Sequence, residues 1–254
     1  MASLGPDILI QLGPLPITNT LLNTFLVDFL IIAGAVALKK NLSKIPGLFQ
    51  NLFEMVIESL YNLTESVAGE NTAKIFPYFI SFFLFILVAN WSGLIPGGES
   101  LGLTHLVGGE PEIASFNRNL TSDLNATLAL ALISLVATHM LSIKKLGVKQ
   151  YLSRFFSLNP ILLFVGVLEI ISEFTKLVSL SFRLFGNIFA GEVVLGTISK
   201  LFAFVFPVPF IFLEIIVGLV QALVFSMLTM AFMSVLMTSH HEENHTKAKE
   251  VSST

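Results

Sequence analysis

Residues 20–38 and 75–96 are apolar over lengths that carry a helix across a lipid bilayer, and 123–143 and 160–237 continue the pattern. Crossing a hydrocarbon layer of ~30 Å takes about 20 apolar residues in a helix. In lipid every backbone polar group must be satisfied within the element itself, and a helix does this alone. The chain is 54% hydrophobic and 12% charged, with a mean hydropathy of +0.83. A soluble domain of this size carries about 25% charged residues. The expected fold is therefore an all-α integral membrane protein forming a single membrane domain, with about five membrane helices and one interfacial helix.

The interfacial helix is residues 46–70. There Glu54, Glu58 and Glu65 recur at spacings of four and seven among Phe, Met, Ile, Leu and Tyr, an amphipathic pattern suited to the membrane surface. Trp91 in the segment NWSGLIP marks the far end of the 75–96 span, since an amphipathic ring favours the membrane–water boundary. Residues 97–122, rich in Gly and polar groups, read as an exposed loop, and residues 238–254 as a solvated polar tail.

Several chemistries are excluded at once. The chain has no cysteine, which removes disulfides and thiolate chemistry. No phosphate-cradling G-x-x-x-x-G-K-[ST] loop is present. The net charge of −3 offers nothing to nucleic acid. HHEENH in the tail reads as solvated polar sequence, so no metal and no cofactor is expected. Lys and Arg are absent before the first apolar run, so no cleaved signal peptide is expected either.

Charge asymmetry sets the orientation. Lys39, Lys40, Lys44, Lys74, Lys144, Lys145, Lys149 and Arg154 fall on one side if the spans alternate, against Arg118 and Lys200 on the other. The positive-inside rule then places the N-terminus outside and the C-terminal tail in the cytoplasm.

Residues 160–199 contain no proline after Pro160. As one helix they would reach about 60 Å, twice the hydrocarbon thickness, so the helix must tilt steeply, bend or break. Pro207 and Pro209 mark a turn, and 210–237 return as the second arm of an inclined hairpin. At 100° per residue, Glu169, Ser172, Glu173, Lys176, Ser179, Arg183, Asn187, Ala190 and Gly191 share one broad face. Glu173 and Lys176, at i,i+3, are placed to neutralise each other. Arg183 has no acidic residue three or four positions away, although a charge at the bilayer centre costs at least ~2.5 kcal/mol. Its counter-charge must come from another helix or another chain.

Glu192 lies about 140° round the helix from Glu169 and faces elsewhere. Glu214 and Gln221, seven apart on the second arm, share a face. Hairpin packing would bring Glu192 towards Glu214, and two carboxylates in a poorly hydrated site suit a proton relay. His139, alone on the third span, reads as a structural histidine.

SLSFRLFGNIFAGE (179–192) and the following PFIFLEIIVGLVQALVFSMLTMAFM closely resemble the C-terminal half of subunit a of F-type ATP synthases in the bacterial form. SDLNATLALAL (122–132) resembles the opening of another helix of that family, and the resemblance extends over nearly all of 20–237. It implies a non-nucleotide-binding, non-catalytic membrane stator in a bacterial inner membrane. Its partners would be a ring of c-type rotor subunits, peripheral-stalk b-type subunits, the remaining ATP synthase subunits and lipid. It further implies two offset aqueous half-channels separated by an arginine, matched here by Arg183. Asn187, Glu192, Glu214 and Gln221 match the outer half-channel, with Asp123 at its mouth; Glu169 and Ser172, with Glu173 beside them, match the inner access path. Related bacterial chains often pair a carboxylate with a histidine where this chain has Glu192 and Glu214, which favours a carboxylate–water path here.

Two other classes compete. A stand-alone secondary transporter would show paired repeats and helices interrupted near the midplane, and no such repeat is visible. A purely structural scaffold has no need of an arginine without a local partner.

Overall fold

The structure is a computed structural model that describes residues 8–12, 15–40, 42–44, 46–94, 102–107, 110–115, 118–155, 160–201 and 207–237. Seven helices dominate it: α1 (Asn19–Lys40), α2 (Leu48–Ala68), α3 (Thr72–Ser92), α4 (Leu124–Leu146), α5 (Val148–Phe155), α6 (Pro160–Leu201) and α7 (Pro207–Met237). Two antiparallel hairpins accompany them, β1 (Ile8–Leu12) with β2 (Leu15–Thr18) and β3 (Gly102–Val107) with β4 (Glu110–Ser115). Among the described residues four helical runs are long and apolar enough to cross a membrane: Asn19–Lys40, Leu48–Ser92, Leu124–Leu146 and Pro207–Met237. The all-α membrane fold expected from hydropathy is the one observed.

α3 and α7 form the centre. On α3, Ile75, Phe79, Phe82, Phe83, Ile86 and Ala89 are buried at steps of three and four, one continuous stripe of a helix. All but Ala89 meet Ala222, Phe225, Met230 and Met233 of α7 in one apolar cluster with Leu184 of α6, while Ala89 packs with Val27 of α1 and Leu120. α4 contributes Thr127, Ala131, Ser134, Thr138, Leu141 and Ser142, a stripe of mostly small residues. Small side chains let membrane helices approach closely, and hydroxyls then bond across the gap. Ser134 and Thr229 share a hydrogen bond of 2.8 Å, Thr127 and Ser181 one of 3.3 Å, and Ser142 Oγ donates to Leu236 O at 2.7 Å.

α2 joins α3 through a single 3₁₀ turn, Gly69–Asn71, where Gly69 adopts φ +52. Only glycine takes that conformation cheaply. On α2 only Leu60, Thr64 and Ala68 are buried, and Phe49, Leu52, Phe53 and Met55 are exposed, in keeping with the amphipathic pattern. α1 is tied down through its first turns alone, with Asn19, Thr20, Asn23 and Val27 buried.

α6 is one uninterrupted helix of 42 residues, about 63 Å at 1.5 Å per residue. No break occurs in it. The stretch 97–122 departs from the exposed loop expected of it: it carries β3 and β4 and ends in a buried 3₁₀ turn, Leu120–Ser122. The turn can be buried because its polar groups satisfy one another. Asn119 Oδ1 accepts from Thr121 N at 3.2 Å, and Ser122 Oγ donates to Asn119 O at 2.9 Å. The β1–β2 hairpin before α1 left no signal in the apolar pattern. The polar tail 238–254, with its HHEENH segment, lies outside the described residues.

Candidate functional site

The polar residues of α6 and α7 separate into three levels along the hairpin. At the level nearest the α6–α7 connection, Glu214 is buried and packs against Gly191; a Cβ at position 191 would stand 2.8 Å from Glu214 Oε1. Glycine is needed there to admit the carboxylate. Glu192, the next residue, is half-buried.

α7 is held at this level by α3. Asn90 Nδ2 donates to Gly218 O at 2.9 Å, and Trp91 Nε1 donates to Ile215 O at 3.2 Å. Thr121 Oγ1 donates to Asn90 Oδ1 at 2.6 Å, which fixes the direction of that amide. One step inward, Asn187 Nδ2 donates to Gln221 Oε1 at 2.6 Å, linking α6 to α7.

Arg183 occupies the middle level. Its side chain is exposed and lines a groove of about 470 Å³ with Ser172, Lys176, Ser179, Leu228 and Phe232. Among the described residues no hydrogen bond or ion pair engages the guanidinium. The sequence expectation that its counter-charge is not local holds, and no described residue elsewhere in the chain supplies it either.

At the third level, towards Lys144 and Lys145, Glu173 turns to α4. Lys176 Nζ lies 2.8 Å from Glu173 Oε1 and 4.7 Å above the Phe232 ring. The i,i+3 neutralisation expected of this pair is observed. Glu173 Oε2 is buried without a hydrogen bond, and His139 Nε2 faces it at 3.8 Å. The Tyr151 hydroxyl is 2.7 Å from His139 Nδ1. His139, which reads as structural from sequence, and Tyr151, which the sequence does not single out, thus meet Glu173 in one cluster. The signal available was weak, a single histidine on an apolar helix and a tyrosine inside a basic segment.

Of the residues singled out from sequence, the structure therefore joins Asn187 to Gln221, sets Glu214 beside Gly191 and Glu192, and places Ser172 with Arg183 in one groove. Glu169 is half-buried on the same helix. Asp123 has a different neighbourhood. Its Oδ1 accepts from Asn125 N at 2.9 Å, so it caps α4, and its Oδ2 accepts from Thr20 Oγ1 of α1 at 3.3 Å. No group of three or more His, Asp or Glu able to hold a metal ion occurs among the described residues.

A family model described as ATP synthase A chain matches residues 20–234. The ATP synthase subunit a of Moorella thermoacetica is 32% identical over 240 residues, covering 94% of this chain and 100% of that protein.

Proposed function

The chain belongs to the ATP synthase A chain family, and from that premise we propose that it is the proton-conducting stator of the membrane sector, coupling proton flow to rotation of a ring of small hairpin subunits. It breaks no covalent bond itself. Nucleotide chemistry belongs to the other ATP synthase subunits with which it assembles, peripheral-stalk b-type subunits among its neighbours.

The observation that carries this reading is the Arg183 guanidinium, exposed in a groove of α6 and engaged by no described residue. A guanidinium has a pKa above ~12, so it neither accepts nor passes on a proton. A lysine shifts its pKa on burial and would leak. A permanent cation between two water-filled half-channels prevents protons from running straight through. It also stabilises an ionised carboxylate of the rotor ring while that group faces the stator. To move on into lipid the carboxylate must first be protonated, because a bare charge there is too costly.

Protons arrive by the half-channel that includes Glu192, Glu214, Asn187 and Gln221. They leave by the path on the Glu169, Ser172 and Glu173 side. A membrane potential biases the direction by about 2.3 kcal/mol per charge per 100 mV. The end bearing Lys144 and Lys145 faces the cytoplasm of a bacterial inner membrane, by the positive-inside rule, with the N-terminus outside. Engineered single cysteines, in a chain that has none of its own, would report that sidedness by reaction with an impermeant thiol reagent.

The test is Arg183→Ala in the reconstituted complex. Proton-driven ATP synthesis falls to background while passive proton flux persists or grows. Synthesis at the unmodified rate would overturn the barrier role.

A further inference from the structure

The third level of the site contains an imidazole that the mechanism above does not use. His139 sits on α4 with its Nδ1 2.7 Å from the Tyr151 hydroxyl and its Nε2 3.8 Å from Glu173 Oε2. That carboxylate oxygen is buried and makes no hydrogen bond, while the other oxygen is held by Lys176. Among the described residues, α6 and α5 supply the charged or titratable groups that face the ring. α6 supplies Glu169, Glu173 and Lys176, and α5 supplies Tyr151. α7 carries one ionisable residue, Glu214, which lies at the level of Gly191 instead.

In the protonated ring both nitrogens are donors. Nδ1–H then donates to the Tyr151 oxygen, and Nε2–H points at the one oxygen of Glu173 that lacks a donor. In the neutral Nε2–H tautomer Nδ1 instead accepts from the Tyr151 O–H, so the ring keeps both neighbours with or without an extra proton, as a proton carrier must. Its side chain is 23% exposed, so the ring is not sealed inside the bundle. Lys176, which holds Glu173, also lines the Arg183 groove.

We propose that His139 is a proton-carrying residue of the path on the Lys144 side of Arg183, with Tyr151 as the positioning residue that orients its ring. The inference rests on the reading that protons leave the Arg183 groove on this side. Uptake breaks an O–H bond of the donor, a hydronium ion or a protonated carboxyl group, and forms one N–H bond at the ring. Release to water at the exposed edge reverses the exchange and restores neutral imidazole.

The test uses the whole complex in vesicles, comparing His139→Ala, His139→Gln and Tyr151→Phe with the unmodified chain at equal complex yield. His139→Ala should slow proton-driven ATP synthesis about tenfold, at the low end of what a positioned proton carrier contributes. It should also flatten the dependence of the rate on the pH of that side, which a titrating imidazole confers. Free imidazole added there should restore much of the rate, and Tyr151→Phe should lose less than His139→Ala. An unchanged rate and pH profile in His139→Gln, or a loss in His139→Ala that imidazole does not relieve, would overturn the proposal. Arg183→Ala in the same vesicles separates the two readings. If Arg183→Ala still makes ATP, the stator mechanism fails; if it is silent while His139→Gln is normal, this inference alone fails.

Discussion

The two flanks of Arg183 solve the problem of polar groups in an apolar belt differently. Towards the α6–α7 connection, hydrogen bonds between neutral amides and backbone carbonyls prevail: Asn187 to Gln221, Asn90 to Gly218 and Trp91 to Ile215. Glu214 is buried there against glycine, with no lysine or arginine within a turn of it in sequence. Towards Lys144 the charges are matched in place, Glu173 against Lys176 with His139 beside them. The first flank thus relies on neutral hydrogen bonds, and the second on a matched ion pair beside an imidazole.

Substitutions test that contrast. The largest effect belongs to the group between the flanks: Arg183→Lys keeps a cation but one that can release its proton. ATP synthesis should fall to near background with increased proton leakage at high pH, measured in vesicles; tight coupling in this variant would break the comparison at its centre. Glu214→Gln comes next, removing the buried carboxyl group of the proposed entry path while keeping the shape, and should slow synthesis by about 10²-fold with assembly retained. Glu173→Gln leaves Lys176 without its partner. Thermal unfolding of the complex should show a loss of about 1–3 kcal/mol, below the full value for a buried pair because Lys176 also reaches the groove.

Gly191→Ala places a methyl group against Glu214 Oε1 and should lower the rate several-fold without loss of complex. Asp123→Ser, the mildest change, separates the cap seen in the structure from the channel mouth expected from the resemblance. A serine also caps a helix N-terminus, so stability should change by less than about 1 kcal/mol and synthesis should continue at the ordinary rate. A marked loss of rate would return Asp123 to the proton path.

Much of this was legible in the sequence. Hydropathy placed the membrane helices, and 100° steps along 160–199 placed Ser172 and Arg183 on the face that lines the groove. The Glu173–Lys176 pair also followed from its spacing alone. The same periodicity put Glu173 and Asn187 on that face without revealing that Glu173 would turn to His139 of α4 or that Asn187 would reach Gln221 of α7. Asp123, matched to the channel mouth by the resemblance, also caps α4 and accepts from Thr20 of α1.

Sequence by itself determined the helices, the polar stripe and the absence of any partner for Arg183 along its own helix. These depend on hydrophobic length and on the fixed 3.6-residue turn, both local properties of the chain. Only the tertiary structure decided which polar groups meet between helices, as His139, Tyr151 and Glu173 do from three different ones. Contacts between helices depend on how far each slides and rotates against its neighbours, and small residues such as Gly191, Ser134 and Gly218 set that register through close approach.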